Sequence, residues 1–283
     1  MPIDLQETLV SPRATKKTLA GFEMPVLGYG VRSQFFSRLG VAIKEKLLKT
    51  VYRFMKYGVE KALKAGYRHI DSARCYENET GCAAAIRKAG LKRSDVFLTT
   101  KLNPDDPGIL VHTPWGGKEG RLGAWRALVE AQKAGQARSI GVSNFGVHHL
   151  EELEEYISHG GGGRIEVGQY ELHPWLARAE LVDWLRERGA IVQAYSPLTR
   201  GTRLGDPILQ ALGKKHHRSP VQILIRWSLQ MGFVPLPKTT TAERIAENAD
   251  VFDFALDEDD MKLLHTGEYS PTDSLWDPTV ERD

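Results

Sequence analysis

Short apolar runs alternate with amphipathic helical stretches from Gly66 onward, and this alternation constrains the fold more than any other feature. The apolar runs are near-continuous, which is typical of strands buried on both faces of a parallel sheet. Eight strands are predicted, at 67–73, 96–102, 109–113, 139–145, 167–173, 191–197, 233–239 and 251–254. Eight strand–helix units favour an α/β fold of the (β/α)₈ or TIM-barrel type over an open sheet.

The helical stretches have ordinary start and stop signals. Ser219-Pro220 opens one of them with a cap residue followed by proline at the first helical position, and several others close on glycine. Helices are predicted over 117–135, 146–160, 177–189, 219–232 and 241–250. Since α/β barrels of 200–250 residues often form one unit, we treat residues 1–283 as a single domain.

The phosphate-binding loops of open α/β sheets are missing from the sequence. A dinucleotide fingerprint needs three glycines in the order G-x-G-x-x-G, but Ser33 stands where the third glycine would follow Gly28 and Gly30. The sequence also has no G-x-x-x-x-G-K-[ST] loop. Both observations argue against an open nucleotide-binding sheet.

Composition excludes several classes of partner. A net charge of +2 gives no large electrostatic field, so no nucleic-acid partner is expected. Cys75 and Cys82 are too few for a disulfide framework, which fits a reducing compartment. No signal peptide or membrane span is recognisable. We therefore expect a monomeric, cytoplasmic protein with no membrane partner.

Polar residues stand where the predicted strands end. In a barrel the C-terminal ends of the strands form one mouth, where active sites lie, so these residues are expected to face one another. They are Asp71, Lys101, His112, Ser143, Asn144, Gln169, Tyr195, Lys238 and Thr239, with Tyr76 in the loop that follows the first predicted strand. Taken singly, each also suits a structural role such as a helix cap or a core hydrogen bond. Together they place a carboxylate, a phenol, an amine and an imidazole on consecutive strand–helix units.

The sequence resembles the aldo-keto reductases over about three quarters of its length. The resemblance lies in seven ordered motifs: GYRHIDSARCYENE, TTKL, ILVH, SIGVSNF, GQYELHPWL, AYSPL and PLPKTTTAERIAEN. It implies a (β/α)₈ barrel that binds NADPH without a Rossmann fold and reduces small-molecule carbonyls to alcohols.

The resemblance implies a catalytic set for this chemistry. It implies that Tyr76 donates the proton and that Lys101 is its partner. It also implies that Asp71 supports Lys101 and that His112 orients the carbonyl. Hydride delivery to a carbonyl carbon builds negative charge on the oxygen, which needs an acid. A free tyrosine has a pKa of about 10, and an ammonium about 4 Å away supplies the roughly 4 kcal/mol that the acid needs near neutrality.

The resemblance also implies the residues that hold NADPH. Ser143, Asn144 and Gln169 match positions that hold the nicotinamide carboxamide, and Tyr195 matches the aromatic residue that stacks on the nicotinamide ring. The adenosine 2′-phosphate and the adenine are expected at Lys238, Thr239, Arg244, Glu247 and Asn248. Two cations in one short segment favour a dianionic phosphate, although the same residues would suit a helix cap and a solvated face. No metal is expected.

The substrate pocket is expected to have aromatic walls. Trp115 follows His112 closely, and Trp276 lies in a C-terminal tail, 266–283, which is expected near the pocket. Aromatic walls suit aromatic or aliphatic aldehydes and ketones, but both tryptophans would also suit ordinary packing.

An apparent insertion departs from the family pattern at residues 31–50. The segment mixes basic and apolar residues, and basic amphipathic helices bind membranes or calmodulin-like partners. Our preferred interpretation is translated sequence from a retained intron.

An apparent deletion falls between Gly108 and Ile109, where the family has a helix between the second and third predicted strands. About 25–30 residues are missing, and Asn103–Gly108 span at most about 20 Å. Parallel strands need a crossover of a dozen or more residues. Two functional hypotheses therefore stand: an active NADPH-dependent reductase, or a non-catalytic, aberrantly spliced chain with impaired folding or cofactor binding only. A hydrolytic metal barrel fits less well, because paired metal ligands do not recur at the strand ends.

Overall fold

The computed structural model describes residues 14–31, 57–102, 110–273 and 276–282. The antiparallel strands β1 and β2 form a hairpin outside the main sheet. Eight further strands follow along the chain. The strands are β1 Thr15–Lys17, β2 Glu23–Pro25, β3 Tyr29–Gly30, β4 His69–Asp71, β5 Phe97–Thr99, β6 Leu110–Val111, β7 Gly141–Ser143, β8 Val167–Glu171, β9 Ile191–Tyr195 and β10 Val234–Pro235.

Strands β3 to β10 form a closed barrel. Strands β3-β4-β5 pair in parallel, and so do β6-β7-β8-β9-β10. One seam is closed by a parallel bridge between Leu102, just after β5, and Val111 of β6. The other is closed where Gly28, just before β3, donates its N–H to the Pro235 carbonyl at 3.0 Å. The predicted (β/α)₈ architecture is therefore confirmed.

Helices follow most of these strands. Residues 57–64 are helical and are called α1. The other helices are α2 Glu79–Lys88, α3 Gly117–Lys133, α4 Val147–Tyr156, α5 Ala179–Glu187, α6 Pro207–His216, α7 Pro220–Gln230, α8 Ala242–Ala249 and α9 Glu258–Leu263. All five helices predicted from the sequence are present. The predicted cap of α7 is also present, because Ser219 Oγ accepts the Gln222 N–H and Gln222 Oε1 accepts the Ser219 N–H.

The eighth strand predicted from the sequence is wrong. Residues 251–254 form a loop. Their apolar side chains pack on α7, and Arg226 binds the Val251 carbonyl at 3.2 Å and lies over the Phe254 ring. The strand that completes the barrel is β3, which is only two residues long. A run this short, beside glycines that pack against Leu236, carries little periodic signal.

Both departures from the family pattern lie mostly outside the described residues. Only seven residues, 103–109, connect Leu102 to β6, and the structure does not describe them. Val31, the first residue of the apparent insertion, is fully buried, and its carbonyl accepts from Asn78 Nδ2 at 2.9 Å. Val31 therefore belongs to the barrel, while residues 32–50 lie outside the described part of the chain.

Apolar side chains fill the barrel interior and the layer beneath the helices. A small interior cluster contains Met24, Leu110, Val167, Ile191, Val234 and Leu236. Gly141 lets β7 and β8 approach closely, because a Cβ there would meet the Val167 carbonyl oxygen at 2.0 Å. Among the described helices, none is both long and apolar enough to cross a membrane.

Candidate active site

A cavity of about 570 Å³ opens at the end of the barrel where the strands terminate. The barrel topology brings almost all of the predicted site residues to its walls. Those that line it are Asp71, Tyr76, His112, Ser143, Asn144, Gln169, Tyr195, Lys238, Thr239, Arg244, Glu247, Asn248 and Trp276. The two exceptions are Lys101, which lies behind Asp71, and Trp115, which lies outside the cavity wall.

Asp71 and Lys101 form a buried ion pair under one end of the cavity. Lys101 Nζ donates to both carboxylate oxygens of Asp71, at 2.8 and 2.9 Å, and to the Ser72 carbonyl at 2.6 Å. The ammonium therefore has its three donors satisfied in one fixed geometry. Because an isolated charge in such a site is costly, each member of the pair depends on the other.

Tyr76 lies beside this pair, on a single turn of 3₁₀ helix, Arg74–Tyr76, that follows β4. Lys101 Nζ lies 5.5 Å from the centre of the Tyr76 ring. Asn78 fixes the loop that carries Tyr76, because its side chain accepts from Ser72 Oγ at 2.6 Å and donates to the Val31 carbonyl.

His112 stands next to Tyr76 at the same end of the cavity. The two rings are edge to face, with centres 6.0 Å apart. His112 Nδ1 lies 3.6 Å from the thiol of Cys75, and the His112 carbonyl accepts from Asn144 Nδ2 at 2.8 Å. A phenol and an imidazole thus meet at the cavity wall where a carbonyl group could reach both, with the Lys101 ammonium behind the phenol ring.

Ser143, Asn144 and Tyr195 form a hydrogen-bonded group on the neighbouring strands. Tyr195 OH donates to Asn144 Oδ1 at 2.8 Å, and Ser143 Oγ donates to the Gln169 carbonyl at 2.8 Å. Asn144 has a left-handed backbone with φ of 63°, a conformation that asparagine tolerates better than most residues. These contacts fix the side chains that face the middle of the cavity.

A buried polar chain runs from this site down the barrel axis. Gln169 Nε2 donates to Asp71 Oδ1 at 2.8 Å and to Gln193 Oε1 at 2.7 Å. Gln193 Nε2 in turn donates to Thr99 Oγ1 at 3.4 Å, and Thr99 Oγ1 lies 2.9 Å from His69 Nε2. Complete burial, opposed in part by the Asp71 charge, lowers the pKa of His69 to about 4. Gln193 and His69 were not predicted as site residues, because neither stands at the C-terminal end of its strand, although His69 lies within the motif GYRHIDSARCYENE.

Another part of the cavity wall is basic. Lys238 and Arg244 are exposed at its rim, and Asn248 is buried beside them on α8. Among the described residues, neither cation has a carboxylate within ion-pair distance, which is 4.0 Å. Their positive charge is therefore available to an anionic ligand.

The two predicted pocket tryptophans are in contact. Their rings are edge to face, with centres 6.3 Å apart, and only Trp276 lines the cavity. Trp115 Nε1 donates to Glu281 of the C-terminal tail. The segment after β9 also forms a wall that sequence reasoning missed, with Leu198, Arg200, Gly201 and Leu204 on the cavity. Its left-handed residues Thr199 and Arg200 give no recognisable turn signal.

Eight parallel strands with a cavity at their C-terminal ends, and a Tyr–Lys–Asp–His set within it, define an α/β-barrel enzyme. A family model described as the aldo/keto reductase family matches residues 44–115 and 109–266. The chain belongs to the aldo/keto reductase family and is an oxidoreductase. The two matched segments overlap at residues 109–115, at the end of the short β5–β6 connection.

Relatives of known activity and known structure cover most of the chain. It is 36% identical to the glyoxal reductase of Bacillus subtilis over 93% of this chain and 94% of that one. It is also 36% identical to the methylglyoxal reductase DkgA of Escherichia coli, over 72% of this chain and 80% of that one. The crystal structure of an aldo/keto reductase from Brucella melitensis superposes with a TM-score of 0.77 and 33% identity, covering 90% of this chain and 98% of that one.

Proposed function

We propose that this chain reduces aldehydes and ketones to alcohols with NADPH, and that Tyr76 donates the proton. The observation that carries the proposal is the convergence of Tyr76, His112 and the Asp71–Lys101 pair at one end of a single cavity. The names of the glyoxal and methylglyoxal reductases support small reactive carbonyls as substrates.

The residues of the cavity fit a nicotinamide dinucleotide phosphate. The basic rim at Lys238 and Arg244 suits the 2′-phosphate, and the polar group at Ser143, Asn144 and Gln169 suits a carboxamide. When bound, NADPH supplies the hydride to the carbonyl carbon. Tyr195 is proposed to face the nicotinamide ring, with its hydroxyl held by Asn144.

Tyr76 is proposed to release its proton to the carbonyl oxygen as negative charge develops there. The resulting phenolate would lie near Lys101, whose ammonium is 5.5 Å from the ring centre. A unit charge at that distance contributes about 3 kcal/mol at an effective dielectric constant of about 20. Asp71 offsets some of this attraction but keeps the ammonium in place through two hydrogen bonds.

His112 is proposed to donate a hydrogen bond to the same carbonyl oxygen. Its backbone is held by Asn144, and its ring packs edge to face on Tyr76. A donor fixed before the reaction stabilises the developing oxyanion without reorganisation.

The deciding experiment combines cofactor binding with turnover. Purified protein should change NADPH fluorescence saturably and should reduce methylglyoxal or another reactive aldehyde. Tyr76→Phe should lose turnover by a factor of at least about 10² while NADPH binding stays near wild type. Retained turnover in this variant would remove Tyr76 from the acid role. Saturable binding without any wild-type turnover would support the alternative, a cofactor-binding but non-catalytic chain.

We also propose that the enzyme acts as a monomer in the cytoplasm on a small-molecule carbonyl. Size-exclusion chromatography with light scattering tests this, and a dimer at micromolar concentration would contradict it.

A further inference from the structure

Arg178 joins the loop after β8 to the C-terminal tail. It directly precedes α5 with a left-handed backbone, φ 45°, which is strained for a residue with a side chain. Its guanidinium is only 7% exposed. Arg178 is not one of the predicted catalytic residues, so its burial and strained backbone indicate either a structural or a functional role.

The donors of Arg178 are directed mainly at the tail. Nη1 donates to Thr279 Oγ1 at 2.6 Å and to Tyr269 OH at 2.9 Å, and Nη2 donates to Asp277 Oδ1 at 3.0 Å. Nε donates to the Glu171 carbonyl of its own loop at 3.3 Å. We call Arg178, Tyr269, Asp277 and Thr279 the Arg178 cluster.

The acceptors in the Arg178 cluster also bind one another. Asp277 Oδ1 accepts from the N–H and the hydroxyl of Thr279, and Tyr269 OH donates to Oδ2. Burial opposes ionisation of Asp277, but hydrogen bonds from Thr279 and Tyr269 and the charge of Arg178 outweigh it, so the pKa of Asp277 is lowered. The carboxylate and the guanidinium thus form a buried charged pair with most of its donors and acceptors satisfied.

The cluster lies directly next to a wall of the cavity. Trp276 precedes Asp277 in sequence and lines the cavity. On its far side the tail is attached again at Glu281, which accepts from Trp115 Nε1 and from His148 Nε2. The intervening residues form one 3₁₀ turn, Pro278–Val280, so these polar contacts hold the chain that directly follows Trp276, whose own N–H binds the Asp273 carbonyl at 3.1 Å.

We propose that Arg178 is a positioning residue for substrate selection, because it holds Trp276 in the cavity wall through Asp277. The inference rests on the proposed reductase function. Trp115, which follows His112 closely in sequence, packs on Trp276, so this wall belongs to the end of the cavity where the carbonyl reacts. A bulky aromatic aldehyde would pack against Trp276, whereas a three-carbon dicarbonyl would make fewer contacts with it.

The test compares Arg178→Gln with wild type on 4-nitrobenzaldehyde and on methylglyoxal. For the aromatic aldehyde kcat/KM should fall about tenfold, mainly through KM, while for methylglyoxal it should change less than about threefold. Arg178→Lys should give values between those of Arg178→Gln and wild type, since it keeps the charge but lacks the planar guanidinium that spans Tyr269, Asp277 and Thr279. Arg188, which directly follows α5 at its other end and pairs with Glu154, provides the matched control, and Arg188→Gln should leave kcat/KM for both substrates unchanged.

Two further measurements separate this role from general damage. In the Trp276→Ala background, adding Arg178→Gln should change the ratio of the two kcat/KM values by less than about twofold, because both substitutions disrupt the same wall of the cavity. Limited proteolysis should cut the tail of Arg178→Gln faster than that of wild type or Arg188→Gln, while the barrel core resists. Equal losses on both aldehydes, additive effects on the ratio, or unchanged tail cleavage would each overturn the proposal.

Proteolysis also separates the two levels of inference. If wild type reduces no carbonyl, the proposed function fails, and the tail of Arg178→Gln still reports whether the cluster holds that segment. If wild type is active and the substrate ratio does not depend on Arg178, the reductase function stands and the positioning role is wrong.

Discussion

Lys238 and Arg244, at the basic rim of the cavity, are predicted to bind the 2′-phosphate of NADPH. Replacing both with alanine should weaken NADPH by about 2–4 kcal/mol, because hydrogen bonds to charged groups contribute about 1.5–3 kcal/mol each and solvent exposure reduces this. NADH lacks the 2′-phosphate, so its affinity should change little. The measurement is fluorescence titration with both cofactors at two salt concentrations.

Lys214→Ala combined with Arg126→Ala is the matched control for this variant. Both residues are exposed, and the pair removes the same net charge away from the cavity. The control should bind both cofactors as wild type does. If the rim variant loses NADPH and NADH equally, the assignment of a 2′-phosphate site to this part of the cavity is wrong.

His69 provides a pH-dependent contribution to stability. Its folded-state pKa of about 4 lies below the ordinary value of 6.5, so the unfolded chain holds the proton more tightly. Stability should therefore fall as pH decreases from about 6.5 to about 4, by up to roughly 3 kcal/mol from this residue. His69→Gln keeps a polar partner for Thr99 but cannot titrate, so its unfolding free energy should decrease less on acidification.

Urea melts at pH 7 and pH 4.5 measure this difference. Carboxylates also lose their ion pairs in acid, so the comparison is with His265→Gln, an exposed histidine that should behave as wild type. If His69→Gln and wild type lose equal stability between the two pH values, burial of a neutral His69 is not a source of the acid sensitivity.

At the scale of elements, the connection between β5 and β6 is the least regular feature of the barrel. Within the described residues β6 consists of Leu110 and Val111, so the part of the wall described beside β5 is short. A small cavity of about 40 Å³ lies at this position, and its walls include Phe97, Leu110 and Arg138. Arg138 lies over the rings of Phe22 and Phe97, at 5.5 and 5.4 Å, and so covers the opening.

We expect Arg138→Ala to lower the unfolding free energy by about 1–2 kcal/mol, since it loses two cation–π contacts and the cover of this opening. Arg126→Ala on the exposed face of α3 should cost less than about 0.5 kcal/mol. Thermal and urea melts of the two variants check this. A cost for Arg138→Ala no larger than for Arg126→Ala would show that Arg138 does not seal the wall.

The strand–helix alternation predicted most elements because buried parallel strands and amphipathic helices differ in period and length. It failed where tertiary packing replaced periodicity. Residues 251–254 are apolar because they cover α7, and β3 is too short to show any pattern. The approach of strand-end residues such as Asp71 and Lys101 was predictable, because the topology alone brings those ends together.

Other features of the site could not be predicted because they depend on contacts distant in sequence. The attachment of the tail through Arg178 joins residues about a hundred positions apart, namely Arg178 and Asp277. The wall around Arg200 depends on left-handed residues that no local motif requires. The residues that select the substrate are therefore harder to predict than the catalytic residues, since they lie in loops rather than at strand ends.

At the scale of the whole molecule, the barrel closes although the sequence leaves no room for a helix between β5 and β6. A barrel helix typically buries four to six Leu-sized or Val-sized side chains, at roughly 1.5–3 kcal/mol each. Its loss removes on the order of 10 kcal/mol, which is comparable to the roughly 5–15 kcal/mol stability of a whole domain. Leu98, whose strand has no following helix in the described structure, is only half-buried.

The chain should therefore be less stable than a version with the crossover restored. Inserting an amphipathic helix of about 25 residues between Gly108 and Ile109 should raise the melting temperature by at least about 10 °C, because 1 kcal/mol shifts a large domain by about 2–4 °C. A Gly/Ser insertion of equal length is the control and should not raise it, since it adds length without apolar cover. Turnover should rise with the helix as well, because Lys101 and His112 lie on either side of the connection and catalysis needs them tightly held. If the unmodified chain melts cooperatively above about 50 °C and reduces methylglyoxal as fast as the helix-bearing version, the short crossover costs the barrel neither stability nor function.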